Sequence, residues 1–131
     1  MKRTLLRAFI MMLALEFLIA GFAFAGQKEK IAVAANGETP AASVSTQAGR
    51  APFFLLFDES GKLIETMANP GKEAGSSGIE VADFLVSKGV TVIVAEGYGG
   101  RIVGVMKDKG IRAVAFKGSV EEAVKNVLQV K

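Results

Sequence analysis

The chain has 131 residues, which fits one folded domain, and its 16 Lys and Arg face 13 Asp and Glu. It contains no Cys, His or Trp, so thiolate and imidazole metal sites, Cys or Ser–His nucleophiles and disulfides are excluded. Residues 26–131 hold 13 basic and 12 acidic residues, and this near balance gives no indication of a nucleic-acid partner.

Residues 1–25 have the pattern of a secretory signal peptide. A basic start precedes an apolar run over residues 8–22, and Ala23-Phe24-Ala25 forms a cleavage motif before Gly26. The run is shorter than the roughly 20 residues of a membrane span, and it contains Glu16. The pattern predicts export to the periplasm with cleavage; an uncleaved N-terminal membrane anchor is the alternative. After cleavage, we expect residues 26–131 to form one domain that makes no contact with the membrane.

The first half of this domain reads as three strands. Residues 31–35 and 53–57 are short apolar runs, and the second of them is apolar on both faces, as expected of a central strand. Between them, residues 36–50 form a long loop of small and polar residues, and such loops are often functional. Asp58 and Gly61 suit the ends of a type I turn, which predicts a hairpin to a third strand over residues 62–68.

The second half alternates between helices and strands. Helical spacing of apolar residues predicts helices over residues 79–88 and 101–109, each followed by Gly. Buried strands are predicted over residues 91–95 and 111–116. A last helix starts at a capping box formed by Ser119 and Glu122, runs to about Gln129, and places Glu121 and Lys125 at the supportive i,i+4 spacing.

The order β-β-β-α-β-α-β-α predicts an α/β fold. The fourth and fifth strands follow helical crossovers and are therefore expected to be parallel, whereas the hairpin adds antiparallel pairing on the other side. We expect a mixed five-stranded sheet with helices on its faces.

A ligand site in such a sheet is expected beyond the carboxyl ends of its parallel strands. Three glycine-, serine- or threonine-rich segments fall there, and their backbone amides can approach an anion closely. They are residues 36–50, 76–78 and 96–101. Arg50 and Arg101 can add positive charge. The pattern predicts a pocket for a bulky anion, with no catalytic residue and no metal-ligating side chain. The candidate binding residues are Gln47, Gly49, Arg50, Ser76, Ser77, Gly78, Gly97, Tyr98, Gly99, Gly100 and Arg101.

Structural explanations compete with this site. The glycines at 49, 97, 99 and 100 also suit tight βα turns, both arginines suit a solvated surface, and Tyr98 either covers a ligand, packs, or lies exposed at a loop tip. The segment from Gly97 lacks the last glycine of GxGxxG, and no GxxxxGK occurs. Four carboxylates are conceivable as a metal or acid–base set, although only the last of them ends a strand: Asp58, Glu65, Asp83 and Glu96.

Four stretches resemble the dinitrogenase iron-molybdenum cofactor biosynthesis family. Together they span nearly all of the domain in its element order. They are Ile31-Ala32-Val33 with Ser45-Thr46-Gln47-Ala48-Gly49-Arg50-Ala51-Pro52-Phe53-Phe54; Asn69 with Gly75-Ser76-Ser77-Gly78-Ile79; Val92-Ile93-Val94-Ala95 with Gly99, Met106-Lys107 and Gly110-Ile111; and Gly118-Ser119-Val120-Glu121-Glu122-Ala123.

The resemblance implies a ribonuclease-H-like three-layer fold without nuclease activity, with sheet order 3-2-1-4-5. It also implies a carrier of iron–sulfur or molybdenum-containing clusters. The family's loop commonly reads Ser-x-His-Phe-Gly-Arg; here Gln47 and Ala48 replace its His and Phe, while Gly49 and Arg50 match. The imidazole that the resemblance expects to face metal is therefore absent. The predicted export is a second difference from the family, whose cluster assembly for nitrogenase takes place in the cytoplasm.

Two hypotheses of different class follow. The leading one is an exported, non-enzymatic protein that holds an anionic metal–sulfur cluster or oxyanion non-covalently. The alternative is a cell-envelope protein-interaction module with no small ligand. An enzyme is the least expected class, because the sequence offers no nucleophile with a base.

Overall fold

A computed structural model describes residues 28–70 and 77–129. The predicted signal peptide and Ser76 lie outside this part of the chain, and so does the side chain of Ser77. Among the described helices, none has the length and hydropathy needed to cross a bilayer.

Five strands form a single mixed sheet in the order β3-β2-β1-β4-β5. β1 pairs antiparallel with β2 and parallel with β4, β2 pairs antiparallel with β3, and β4 pairs parallel with β5. The α/β class and the 3-2-1-4-5 order are thereby confirmed. The strands are β1 (Ile31–Ala35), β2 (Phe53–Phe57), β3 (Leu63–Ala68), β4 (Val92–Ala95) and β5 (Arg112–Ala115).

Three helices lie where the apolar spacing predicts them, with ends shifted by one or two residues. They are α1 (Ser77–Ser87), α2 (Gly100–Asp108) and α3 (Val120–Gln129). A short 3₁₀ helix, Ala48–Arg50, forms within the predicted long loop. It was not expected, because its sequence carries no helical pattern and Gln47 makes no side-chain cap.

The central strand separates two apolar layers. All five residues of β1 are fully buried. Ala32 and Ala34 face the layer that α1 and α2 cover, and Ile31 and Val33 face the layer under α3. Strands that are buried on both sides need continuous apolar runs, which β1 and β2 have.

The turns follow their sequence signals. Asp58 Oδ1 accepts hydrogen bonds from the amides of Ser60 (2.9 Å) and Lys62 (3.0 Å), and Gly61 has φ 86°. The same turn receives the start of the described chain, since Lys28 Nζ lies 4.0 Å from Glu59 Oε1. The hairpin turn and the beginning of β1 therefore lie at the same end of the sheet, as the pairing of Ile31 with Phe57 also shows.

The predicted capping residues also bond each other at the start of α3, although Glu122 reaches the Ser119 hydroxyl rather than the Ser119 amide. Ser119 Oγ accepts from the Glu122 amide at 3.2 Å, and the Glu122 carboxylate accepts from the Ser119 hydroxyl at 3.0 Å. One turn further on, Lys125 Nζ lies 3.6 Å from Glu121 Oε1. The sequence thus specifies this helix start locally.

Candidate functional site

The loops after β1 and β4 meet at the carboxyl end of the sheet. β1 and β4 are parallel neighbours, so both loops leave at the same end. The Glu96 amide donates to the Ser45 carbonyl at 2.9 Å, and the Ala48 amide donates to the Gly97 carbonyl at 3.1 Å. Two of the three predicted segments are therefore joined by backbone hydrogen bonds.

The first part of the long loop, up to Val44, is held by hydrogen bonds to the start of α3. The Val44 amide donates to the Gly118 carbonyl at 2.9 Å, and the Val120 amide donates to the Ala42 carbonyl at 2.9 Å. Ser43 also forms an isolated bridge with Ser119. These bonds tie the first part of the loop to the start of α3, and residues 46–50, of which Thr46, Gln47 and Arg50 are exposed, follow as the part near β4.

The 3₁₀ helix presents Arg50 to solvent on a fixed backbone. Ala48 and Ala51 are fully buried and anchor its two ends, whereas Gln47 and Arg50 are exposed. The Asn69 side-chain amide donates to the carbonyls of Gly49 (3.1 Å) and Ala51 (2.9 Å). The carbonyls of the two residues that flank Arg50 are thus held from the end of β3.

Asn69 was not among the predicted site residues. It is 6% exposed, and its own amide donates to the Pro52 carbonyl at 3.0 Å. Its partners lie 18 and 20 residues away along the chain. The only local signal was an amide side chain at a strand end, immediately before Pro70.

The glycines after β4 have different roles. A Cβ on Gly97 would lie 3.1 Å from the Thr46 carbonyl oxygen, so this glycine permits the close contact of the two loops. A Cβ on Gly99 or Gly100 would meet nothing within 4 Å. None of the three has a positive φ, so backbone conformation does not require glycine at any of them.

The start of α2 is open to solvent. Gly99 is the N-cap and has no side chain to bond the first amides of the helix. Gly99, Gly100 and Arg101 are all exposed. This end of the helix combines amide donors, the positive end of the helix dipole and a guanidinium group, which together favour an anion.

The start of α1 lies against α2. A Cβ on Gly78 would lie 3.3 Å from both the Cβ and the amide nitrogen of Ile102, so glycine permits this close approach. The 3₁₀ helix also contacts α1. The structure therefore brings the starts of both helices and the 3₁₀ helix to one end of the sheet, as the sequence predicts.

Tyr98 connects the turn to the sheet. Its hydroxyl donates to the Ile93 carbonyl at 2.7 Å and accepts from the Val114 amide at 3.1 Å, and its ring packs against the core beneath α1 and α2. Burial raises the pKa of Tyr98 to about 12. The hydroxyl is engaged with β4 and β5, so a ligand would have to compete for it.

The four candidate carboxylates do not converge. Asp58 lies in the hairpin turn at the opposite end of the sheet. Glu65 pairs with Lys88 at 3.0 Å, and Asp83 pairs with Lys109 at 2.9 Å. Across residues 28–70 and 77–129, no group of three His, Cys, Asp or Glu is placed to hold a metal ion. Only Glu96 lies at the carboxyl end, in an open depression beside Phe116 and Lys117.

Known proteins share this architecture. A Thermotoga protein provisionally named NifB is 30% identical, with a TM-score of 0.68 over 78% of this chain and 89% of its own. The apo form of the orange protein from Desulfovibrio gigas is 25% identical, with a TM-score of 0.71 over 77% of this chain and 88% of its own.

A protein from Methanocaldococcus jannaschii, provisionally named a dinitrogenase, shares the fold at 13% identity and a TM-score of 0.57, over 76% of this chain and 88% of its own. No curated protein matches the chain by sequence. Residues 29–130 match the family described as dinitrogenase iron-molybdenum cofactor, which covers the whole sheet and all three helices. The chain therefore belongs to the dinitrogenase iron-molybdenum cofactor family.

Proposed function

We propose that this protein is a non-enzymatic carrier that holds an anionic metal–sulfur cluster, or a related oxyanion, as cargo at the carboxyl end of its sheet. Family membership supports the type of cargo. The sequence contains neither Cys nor His, so thiolate and imidazole ligands must come from elsewhere. Recognition by this chain then depends on hydrogen bonds and charge around the cargo.

The uncapped start of α2 carries the proposal. Gly99 and Gly100 leave open space beside it, although neither conformation nor packing requires glycine at these positions. A large anion can therefore approach the first amides of the helix directly. Arg101 at this helix end and Arg50 on the 3₁₀ helix supply guanidinium groups, which bind oxyanions through paired, charge-assisted hydrogen bonds.

The remaining candidates take supporting roles. Gln47 is exposed beside the 3₁₀ helix and offers a neutral polar contact in place of the family's imidazole. The amides of Gly49, Gly97, Ser77 and Gly78 add donors, and Ser76, which lies outside the described residues, is the last candidate in this segment. Tyr98 holds the turn through β4 and β5 rather than contacting the cargo.

Location and processing complete the proposal. The leader pattern supports export to the periplasm with removal of residues 1–25. Determining the N-terminal residue of the protein purified from its native host tests directly whether the leader is cleaved. A start at Gly26 supports it, and an intact leader in the membrane fraction supports the anchored alternative.

The binding test uses tetrathiomolybdate as a probe anion that contains both molybdenum and sulfide. Arg50→Ala with Arg101→Ala is expected to weaken its binding at least about tenfold, since a hydrogen bond to a charged group contributes about 1.5–3 kcal/mol. Lys62→Ala with Lys107→Ala removes two exposed cations elsewhere and is the control. Equal affinities in both double variants would show that the site is misplaced.

A metal-free protein would favour the second candidate, a cell-envelope interaction module. The observation behind it is the replacement of the family's His by Gln47 in a chain without Cys. Anaerobic purification from the native host, with elemental analysis for Fe, Mo and S, separates the two candidates. Metal and sulfide in proportion to protein support the carrier, whereas a stable partner complex without metal supports the module.

A further inference from the structure

One edge of the sheet, β5, is unpaired in the part of the chain that the structure describes. The Arg112 amide donates to the Thr91 carbonyl at 2.9 Å, and the Phe116 amide donates to the Ala95 carbonyl at 3.1 Å. In a parallel ladder, alternate residues turn their backbone groups to the same neighbour. Ala113 and Ala115 therefore turn their N–H and C=O groups away from β4, as free hydrogen-bonding groups at the edge.

Apolar side chains border this edge. Ala113 and Ala115 are exposed on the face that α2 partly covers. Val103 of α2 is 44% exposed, whereas Val105 on the opposite flank of the helix packs against the core. Gly104 leaves open space on the outer side of α2, since a Cβ there would meet nothing within 4 Å.

The opposite edge, β3, is protected against pairing. Its ladder with β2 contains a register shift at Leu56 and Phe57, and Glu65 in its middle pairs with Lys88 at 3.0 Å. Bulges and central charges are devices that discourage strand addition. The pairing of β5 with β4 has no register shift over its four residues, and the one charged residue of β5, Arg112, lies at its start.

We propose that β5 pairs antiparallel with β5 of a second copy, about a two-fold axis at Val114, to form a continuous ten-stranded sheet. The outward backbone groups fix the register. Ala113 lies opposite the partner's Ala115 and exchanges two hydrogen bonds with it, and the two-fold axis repeats this pair. Val114 then faces the partner's Val114 in a pair without hydrogen bonds between them.

The charges of β5 favour a second copy as the occupant. In this register Arg112 lies opposite the partner's Phe116, so the one charged residue of β5 does not meet its own copy. A two-fold pairing of β3 with its axis at Glu65 would instead bring two Glu65 carboxylates together. On the helix side, Val103 of each copy covers the small Ala113 and Ala115 side chains at the junction.

The register can be tested with one substitution, because the chain has no Cys. In a pair without interstrand hydrogen bonds the two Cα atoms lie about 4.5 Å apart, within the range of a disulfide. Val114→Cys is therefore expected to give a covalent dimer on mild oxidation of the purified full chain. Ala113→Cys is the matched control, because two residues at this position lie about 8 Å apart, too far for a disulfide.

Light scattering coupled to size exclusion tests the dimer itself. The unmodified protein is expected to have twice the mass of one copy, and Ala113→Lys with Ala115→Lys is expected to give single copies. Thr66→Lys with Ala68→Lys, which changes two exposed positions on β3, should remain dimeric. A thermal melt close to that of the unmodified protein establishes that each variant is folded.

A single-copy mass for the unmodified protein would overturn the proposal, as would equal cross-linking by the two cysteine variants. Dissociation by the β3 substitutions alone would move the interface to the other edge. None of these results depends on cargo binding, so the proposed carrier function stands or falls separately.

Discussion

The two ends of the sheet use glycine for different reasons. At the amino end of β1, Gly61 lies in the hairpin turn and Gly89 and Gly110 follow helices, with φ of 86°, 80° and 72°, a region that other residues rarely adopt. At the carboxyl end, Gly97, Gly99 and Gly100 have no positive φ. Gly118 is the exception there, with φ 149°.

This difference separates turn glycines from site glycines. The amino-end glycines are explained by backbone conformation, and Gly97 is explained by its contact with Thr46. Gly99 and Gly100 have neither reason within the described residues. A glycine-rich segment is therefore informative about binding only after conformation and packing have been accounted for.

The largest expected effect concerns the support of the carboxyl end. Asn69→Leu removes the donors to Gly49 and Ala51 and leaves both carbonyls unsatisfied, which should lower the free energy of unfolding by about 2 kcal/mol. Urea denaturation measures this loss. Asn36→Leu is the control, because Asn36 is exposed and bonds only Ser43 through its side chain. Similar losses in both variants would mean that the buried Asn69 amide has no special role.

The same substitution at each end tests the comparison directly. Gly110→Ala and Gly100→Ala both enter open space and differ in φ. Gly110→Ala should destabilise the protein by about 1–2 kcal/mol, because the left-handed conformation is strained for alanine. Gly100→Ala should stabilise it by about 0.5 kcal/mol while weakening tetrathiomolybdate binding. Thermal melts measure both effects. Equal shifts of the melting temperature in the two variants would mean that the glycines at the two ends do not differ in their conformational role.

Tyr98→Phe tests whether the carboxyl-end turn depends on the phenol. Loss of its hydrogen bonds should cost about 1 kcal/mol near neutral pH. The pKa of Tyr98 is about 12 in the folded chain against 10.0 in the unfolded reference, so ionisation favours unfolding. The stability that this group contributes is present below pH 10 and is lost as the pH rises towards 12. Between pH 10 and pH 12, the free energy of unfolding should therefore fall less steeply with pH for the variant than for the unmodified protein.

The smallest effect is expected at the amino end. Hydrogen bonds from Ser60 and Lys62 lower the pKa of Asp58 below 3.8. Its contribution to stability is therefore present above the unfolded pKa and is lost as the pH falls through the folded value. Asp58→Asn keeps the turn but lacks the carboxylate, so the variant should be slightly less stable than the unmodified protein near neutral pH, and this difference should shrink as the pH falls. Glu59→Gln, one residue away and exposed, should leave the acid transition in place if Asp58 alone contributes.

Local sequence signals were sufficient for most of the fold. The bounds of β1 and β2 agree with their prediction, because both are apolar runs flanked by polar or turn residues. The capping box at Ser119 and the Asp58 turn also depend on neighbours within a few residues. Helix and strand ends elsewhere shifted by one or two residues, where several similar residues could end the element.

The site was predictable only as a set of loops. The 3₁₀ helix forms because Ala48 and Ala51 are buried and Asn69 holds the peptides around Arg50, contacts that close over 18 and 20 residues. The Tyr98 hydroxyl likewise finds a partner 16 residues away. No local pattern encodes such contacts, so the sequence alone could not distinguish a ligand-facing tyrosine from one that joins strands.

The pairing of Ile31 with Phe57 places the entrance to β1 beside the hairpin turn, at the end of the sheet opposite the candidate site. The five residues of β1 separate the two ends by about 17 Å. Any tether, fused domain or fluorescent reporter joined ahead of Lys28 therefore connects to the domain at the end of the sheet opposite Arg50 and Arg101. The loops that carry Arg50 and Arg101 would face away from whatever surface holds such an attachment, and a delivery partner could reach them without displacing it.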